Sequence, residues 1–125
     1  MACATEKQIA LLAKLKIPAI PTTRVACSRL IGYILNGNYT VGDTVGERVQ
    51  IVHDYWSRWC GVRIRHKEHG REGVVVMPFA RSKQDVQRIN AHIKDARKLS
   101  PFVLQVKWDS GAVATTTIPF VERLS

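Results

Sequence analysis

Acidic residues are scarce in this chain. Ten Asp and Glu stand against nineteen Lys and Arg in 125 residues, a formal net charge of +9. That imbalance excludes an acidic mimic of nucleic acid and favours a polyanionic partner or an acidic protein surface. Cysteine is limited to Cys3, Cys27 and Cys60, an odd, widely spaced set that argues against a disulfide framework and for a reducing compartment. No C-x-x-C pair and no G-x-x-x-x-G-K-S/T loop occurs, so neither a cysteine-rich zinc module nor a P-loop nucleotide site is expected. No run approaches the ~18 apolar residues that cross a bilayer, and no charged segment followed by a long apolar core opens the chain. The expectation is a protein without membrane contact, located in the cytoplasm, or in the host cytoplasm if phage-encoded.

What is present is enough apolar material, 46% of residues, for one ordinary domain or two tightly packed subdomains. The charge is uneven. Residues 58–125 carry thirteen of the nineteen cations, and eleven basic residues face four acidic ones between Arg58 and Lys98.

The first half reads as helical. Thr5-Glu6-Lys7-Gln8 has the form of a capping box, and Ile9, Leu12 and Leu15 continue a helical stripe that must stop before Pro18. A second helix is expected from about Arg24 to Leu35, with Ala26, Leu30, Ile31 and Ile34 on one side and Asn36-Gly37 ending it. A third starts at the capping box Thr44-Val45-Gly46-Glu47 and ends at Gly61 in a left-handed conformation. Its stripe of Val45, Val49, Val52, Trp56 and Trp59 predicts that both tryptophans point inward.

The second half changes period. Val62, Ile64 and His66 alternate with Arg63, Arg65 and Lys67, so a strand here buries one face and presents cations on the other. Gly70 and Gly73 bracket the turn before Val74-Val75-Val76. Helical spacing returns from Ser82 to Leu99 through Val86, Ile89, Ile93 and Ala96. Leu104, Val106 and Trp108 then alternate with Gln105 and Lys107, Asp109-Ser110-Gly111 makes a hairpin turn, Ala112–Ile118 returns, and Phe120–Leu124 supplies a last strand to close the sheet. The reading is α+β: a helical unit over residues 1–60, then an antiparallel β-barrel over 61–125 with a helical insertion at about 82–99.

Gly61 through Val75, followed by Val106-Lys107-Trp108-Asp109-Ser110-Gly111, resembles the strand-turn-strand and V-x-W-D-x-G strand of SH3-like barrels of the KOW and Tudor type. The resemblance covers residues 61–79 and 102–124 and implies a small barrel that binds nucleic acid or protein, on which the three helices read from the periodicity of the first half are expected to pack. Residues 5–18 and 23–31 are similar to SAP-like helical hairpins, which implies that Arg24 and Arg29 approach a phosphate backbone.

Catalytic chemistry finds little support. His66-x-x-His69 with Cys60 has too few ligands and the wrong spacing for a closed zinc site, and Cys60 with His66 has no evident orienting partner. His53 and Asp54 read as boundary residues of the third helix. Glu68, Glu72, Asp85 and Asp95 each sit amid cations and are explained as local ion-pair partners. No enzyme activity, cofactor or metal is expected. The expected function is binding of DNA or RNA, or of a nucleic-acid-bound protein complex, through phosphate contacts from Arg58, Arg63, Arg65, Lys67, Arg71, Lys83, Arg88, Lys94, Arg97 and Lys98, with Arg24 and Arg29 secondary. Tyr55 and Trp59 are candidate base-stacking residues, although the helical phase of Trp59 favours the core. The alternative is a small phage-type inhibitor or adaptor that occupies a nucleic-acid enzyme such as an RNA-guided nuclease, in the manner of an anti-CRISPR protein.

Overall fold

The computed structural model describes residues 2–18, 20–37, 41–92 and 101–124. Its elements are α1 (Glu6–Lys14), α2 (Arg24–Asn36), α3 (Val45–Trp59), β1 (Arg63–His66), β2 (Glu72–Ala80), α4 (Lys83–Asn90), β3 (Phe102–Trp108), β4 (Val113–Thr116), a 3-10 turn (Ile118–Phe120) and β5 (Val121–Arg123). The protein is α+β, and its described residues form four helices and one five-stranded antiparallel sheet in the order β4-β3-β2-β1-β5. Among the described residues no helix is long and apolar enough to cross a membrane.

Two compact units divide the chain, and their borders differ from the 1–60 and 61–125 expected from the change of hydrophobic period. Residues 1–53 and 80–101 form one unit, residues 54–79 and 102–125 the other. The α4 segment, expected as an insertion in a barrel, therefore belongs to the helical unit. It runs from Lys83 to Asn90, and the continuation expected through Ile93, Ala96 and Leu99 lies outside the described residues.

In the helical unit the caps form where the local sequence places them. Thr5 Oγ1 accepts from the Gln8 amide while Gln8 Oε1 accepts from the Thr5 amide, at 3.2 and 3.0 Å, satisfying two donors that a helix start leaves orphaned. The other end of α1 closes with paired bonds from Ile17 N–H to the Leu12 carbonyl and from Lys16 N–H to that of Ala13. This places Lys16 at φ 58°, a left-handed position where glycine is usual. At the start of α3, Thr44 Oγ1 accepts from the Glu47 amide at 3.1 Å, but the Glu47 carboxylate reaches back to the Asp43 amide at 2.9 Å.

A buried cation holds the turn between α2 and α3. Arg48 is 6% exposed; its Nε donates to the Ile34 carbonyl at 2.6 Å and its Nη1 to that of Gly42 at 3.2 Å. It thus satisfies a carbonyl of the last turn of α2, the negative end of the helix dipole. Gly37 ends α2 as expected, yet its φ is −72°. Glycine is required there for space: a Cβ would collide with the Arg48 side chain and lie 2.9 Å from the Tyr33 carbonyl oxygen. Gly61, after α3, does adopt the left-handed conformation, at φ 76°.

In the sheet unit, β1 pairs with β2 through Arg63↔Val74, Ile64↔Gly73 and Arg65↔Glu72, and β5 pairs with the other edge of β1 through Ile64↔Arg123, Arg65↔Glu122 and His66↔Val121. The two-residue side-chain period then aligns Ile64, Val75, Leu104, Val106, Trp108 and Val121 in one core, with Trp59 and Val62. The expected closure into a barrel is not seen: β4 and β5 are the two edges, and the sheet is open.

Candidate nucleic-acid interface

The outward cations of β1 are neutralised by the strands around them. Arg63 donates to both carboxylate oxygens of Asp109, at 3.2 and 2.5 Å, and approaches Glu72 at 3.5 Å. Arg65 lies 3.4 Å from Glu72 and 3.2 Å from Glu122. Two guanidiniums thus alternate with three carboxylates across the outer face of the sheet. Hydrogen bonding to Asp109, then its charge and that of Glu72, raises the Arg63 guanidinium further above its ordinary value. Each pair is exposed and individually worth little in stability. Together they leave no surplus positive charge at Arg63 and Arg65, two of the positions expected from the sequence to contact phosphate.

Lys67 and Arg71 are different. Both are exposed in the turn that joins β1 to β2, and neither side chain has an ion pair or hydrogen bond with a described residue. The turn is built by backbone bonds from His66 N–H to the Arg71 carbonyl and from Gly70 N–H to that of His66, each 2.8 Å. Gly70, at φ 68°, supplies the left-handed residue. Lys67 N–H also donates to the Phe120 carbonyl at 2.9 Å, fastening the 3-10 turn beside the hairpin.

Four rings gather at this end of the sheet. His66 stacks with His69 at a centroid distance of 4.5 Å and 27° between planes, and with Phe120 at 6.2 Å and 8°. Trp108 meets His66 edge-on at 6.4 Å. His66 Nδ1 accepts from the backbone amides of Glu68 and His69, at 3.2 Å each. Those bonds orient the ring and assign the proton of its neutral form to Nε2. Phe120 is 55% exposed, a large apolar face in water whose carbonyl is bonded to the backbone of Lys67.

The remaining candidates are dispersed. Arg58 is exposed at the end of α3, where its carbonyl accepts from Arg123 at 2.6 Å. The Arg123 guanidinium also lies 5.3 Å above the Trp59 ring, and Trp59 itself is buried in the sheet core. Tyr55 packs on Phe102 at 4.9 Å. Arg88 is paired with Asp85 at 2.6 Å. Arg24 is exposed at the first position of α2, whereas Arg29 and Lys83 line one cavity in the helical unit. Lys94, Arg97 and Lys98 lie outside the described residues.

Sequence reasoning overlooked the stacked rings. The sequence offers His66 as an inward strand residue, a partner for Cys60 and, with His69, a metal ligand, and Phe120 as the first residue of a strand, but none of these as a stacking ring. No local pattern reveals that Ile118-Pro119-Phe120 forms a 3-10 turn which carries Phe120 to the hairpin, although a proline in an otherwise alternating segment does signal a break. Among the described residues no three His, Cys, Asp or Glu side chains gather as metal ligands.

The cysteines differ in access. Cys3 is exposed and Cys27 buried, with Cys60 between them. Burial pushes the Cys27 and Cys60 thiols above the ordinary 9.0, and Cys27 Sγ donates to the Pro21 carbonyl at 3.2 Å. An acid whose folded value is raised stays protonated at neutral pH, and the stability associated with that form is lost only as pH rises through the folded value. With a disulfide reagent at pH 7.5, Cys3 should therefore react first, and Cys27 and Cys60 should follow its rate only in denaturant. Equal native rates at all three thiols would contradict this burial.

Comparison with family models, curated proteins and solved structures gives no match for this chain.

Proposed function

We propose that the protein is a noncatalytic nucleic-acid-binding protein that engages a single-stranded segment at the β1–β2 turn. The observation that favours this is the stack of His69, His66 and solvent-facing Phe120 at the turn that carries Lys67 and Arg71. Bases stack on aromatic faces with little regard to sequence, and neighbouring cations hold the backbone phosphates. Glu68 in the same turn offsets one charge, so stacking rather than charge density is the larger contribution. A relationship of the sheet unit to SH3-like barrels of the KOW and Tudor type is part of this reading. It is supported by the return of β5 to pair with β1 after a 3-10 turn. The binding site moves from the β1 face, where Arg63 and Arg65 are neutralised, to the end of the hairpin.

Fluorescence anisotropy with labelled single-stranded DNA, single-stranded RNA and duplex over a salt series tests the proposal. Phe120→Ala should weaken single-strand binding by about 1–3 kcal/mol. Lys67→Gln with Arg71→Gln should lower the slope of log affinity against log salt by about 0.7 for each phosphate that is no longer neutralised. Arg63→Gln with Arg65→Gln should change binding little. If the parent does not bind at physiological salt, or if Phe120→Ala binds like the parent, the proposal fails and the inhibitor or adaptor reading replaces it.

A further inference from the structure

β4 is an edge of the sheet, and it carries none of the residues that usually guard one. A strand edge exposes unpaired backbone donors and acceptors, which proteins cover with lysine, other charges, proline or a bulge. The opposite edge, β5, carries Glu122 and Arg123. β4 is Val113-Ala114-Thr115-Thr116, and no charged residue occurs between Asp109 and Glu122. Val113, Ala114 and Thr115 are exposed, Val113 to 56%.

The β3–β4 hairpin fixes which backbone groups face outward. Trp108 N–H donates to the Ala112 carbonyl at 2.9 Å, and the register continues through Lys107↔Val113, Val106↔Ala114, Gln105↔Thr115 and Leu104↔Thr116. Hydrogen-bonded pairs alternate with non-bonded pairs along an antiparallel ladder. Ala112, Ala114 and Thr116 therefore turn their N–H and C=O groups to β3, whereas Val113 and Thr115 turn theirs to the open edge. Among the described residues nothing bonds to those outward groups.

We propose that two copies of this chain associate by antiparallel pairing of their β4 strands about a twofold axis at Ala114. Val113 of each copy then exchanges both backbone bonds with Thr115 of the other. Ala114 meets its own counterpart in a closely spaced pair, about 4.5 Å between Cα atoms, which suits a small side chain. Rows across the joined sheets read Lys107-Val113 then Thr115-Gln105 on the outer face, and Leu104-Thr116 then Ala112-Trp108 on the inner one. No charge faces a like charge in any row, the condition under which a chain of net charge +9 can pair with itself. An acidic peptide, which that net charge would otherwise favour, finds no cation on β4 to answer it. The interface is isologous and closes as a dimer. Its seam, residues 112–116, is only about 17 Å long, so the pair belongs to the weak, transient class. This edge does not depend on nucleic-acid binding at the β1–β2 turn.

Sedimentation equilibrium of the full chain from about 10 μM to 1 mM, a range that covers weak affinities, tests it. A reversible dimer should form and should tighten as salt screens two like-charged copies, opposite to the salt dependence of phosphate contacts. Val113→Lys with Thr115→Lys sets like charges opposite each other across the seam and should weaken the dimer at least about tenfold. Mixing that protein with one carrying Val113→Glu and Thr115→Glu should rebuild the pair as a heterodimer. In a Cys3→Ser background, Ala114→Cys should oxidise to a covalent dimer, because the Cα spacing at the axis is within reach of a disulfide. Ala112→Cys, which faces Thr116 instead of itself, should not. Phe120→Ala should dimerise like the parent, separating this edge from the hairpin turn. A chain that stays monomeric throughout the range overturns the proposal. So does a dimer that the lysine substitutions leave intact, a mixture that fails to pair, or equal cross-linking at positions 112 and 114.

Discussion

Trp56→Ala should lower the stability of the protein by about 3–5 kcal/mol, the range for deleting a buried aromatic side chain. Trp56 is 6% exposed and meets Phe102 edge-on at 5.7 Å, while Phe102, 1% exposed, also carries the Tyr55 ring at 4.9 Å. Removing the indole empties the space under two aromatic contacts. The loss comes from packing, because the buried indole N–H finds no hydrogen-bond partner among the described residues. Trp56→Phe should therefore cost much less than Trp56→Ala, since it keeps ring contacts and deletes an unsatisfied donor. Urea denaturation of the three proteins gives the comparison. An unchanged midpoint for Trp56→Ala would show that the ring is not packed as described, and equal losses for both variants would show that the indole N–H matters instead.

Gly73→Ala is expected to cost about 3 kcal/mol, and Gly73→Val more, as overpacking against groups that cannot move aside. Gly73 is buried in β2 opposite Ile64. A Cβ at this position would lie 2.7 Å from the Lys107 carbonyl oxygen, 2.8 Å from Val106 Cγ1 and 2.9 Å from Trp108 Cα. Two of these three atoms are backbone, so no rotamer change relieves the contact. β3 can approach so closely because there is no side chain at Gly73, and a bond from Asp109 N–H to the Glu72 carbonyl at 3.0 Å fastens its end. Gly70→Ala should be milder. Its φ of 68° strains any Cβ-bearing residue, but the space beside it is open. Thermal unfolding ranks the two substitutions, and a Gly73→Ala protein as stable as the parent would mean that β3 does not press on β2 at this point.

Elements whose causes lie within a few residues were legible in advance. Thr5, Thr44 and Ser82 all accept from the amide three positions later, because a cap is a local bond between a short side chain and the first helical turn. The α3 stripe buries Val52, Trp56 and Trp59, and alternation places Leu104, Val106 and Trp108 inward, since side-chain direction follows from backbone period alone. Charge was read less well. A patterned cation such as Arg63 looks solvent-facing from the sequence, and it does face outward, but the carboxylate of Asp109 reaches it from 46 positions along the chain.

The sequence by itself determined the α+β class, the helix starts, the inward faces of α3 and β3 and the concentration of positive charge in the second half, all consequences of short-range geometry and composition. Only the tertiary structure decided where that charge is available. Glu122 cancels part of Arg65 from 57 residues away, and Arg48, on a polar-looking stretch of α3, turns inward to the carbonyls of Ile34 and Gly42. Phe120 comes to rest against His66 across the β1–β5 edge, and Arg29 joins Arg81 and Lys83 around one cavity. Coulomb and hydrogen-bond energies depend on distance in space, and for residues tens of positions apart that distance is set by strand pairing and helix packing rather than by the pattern of their neighbours.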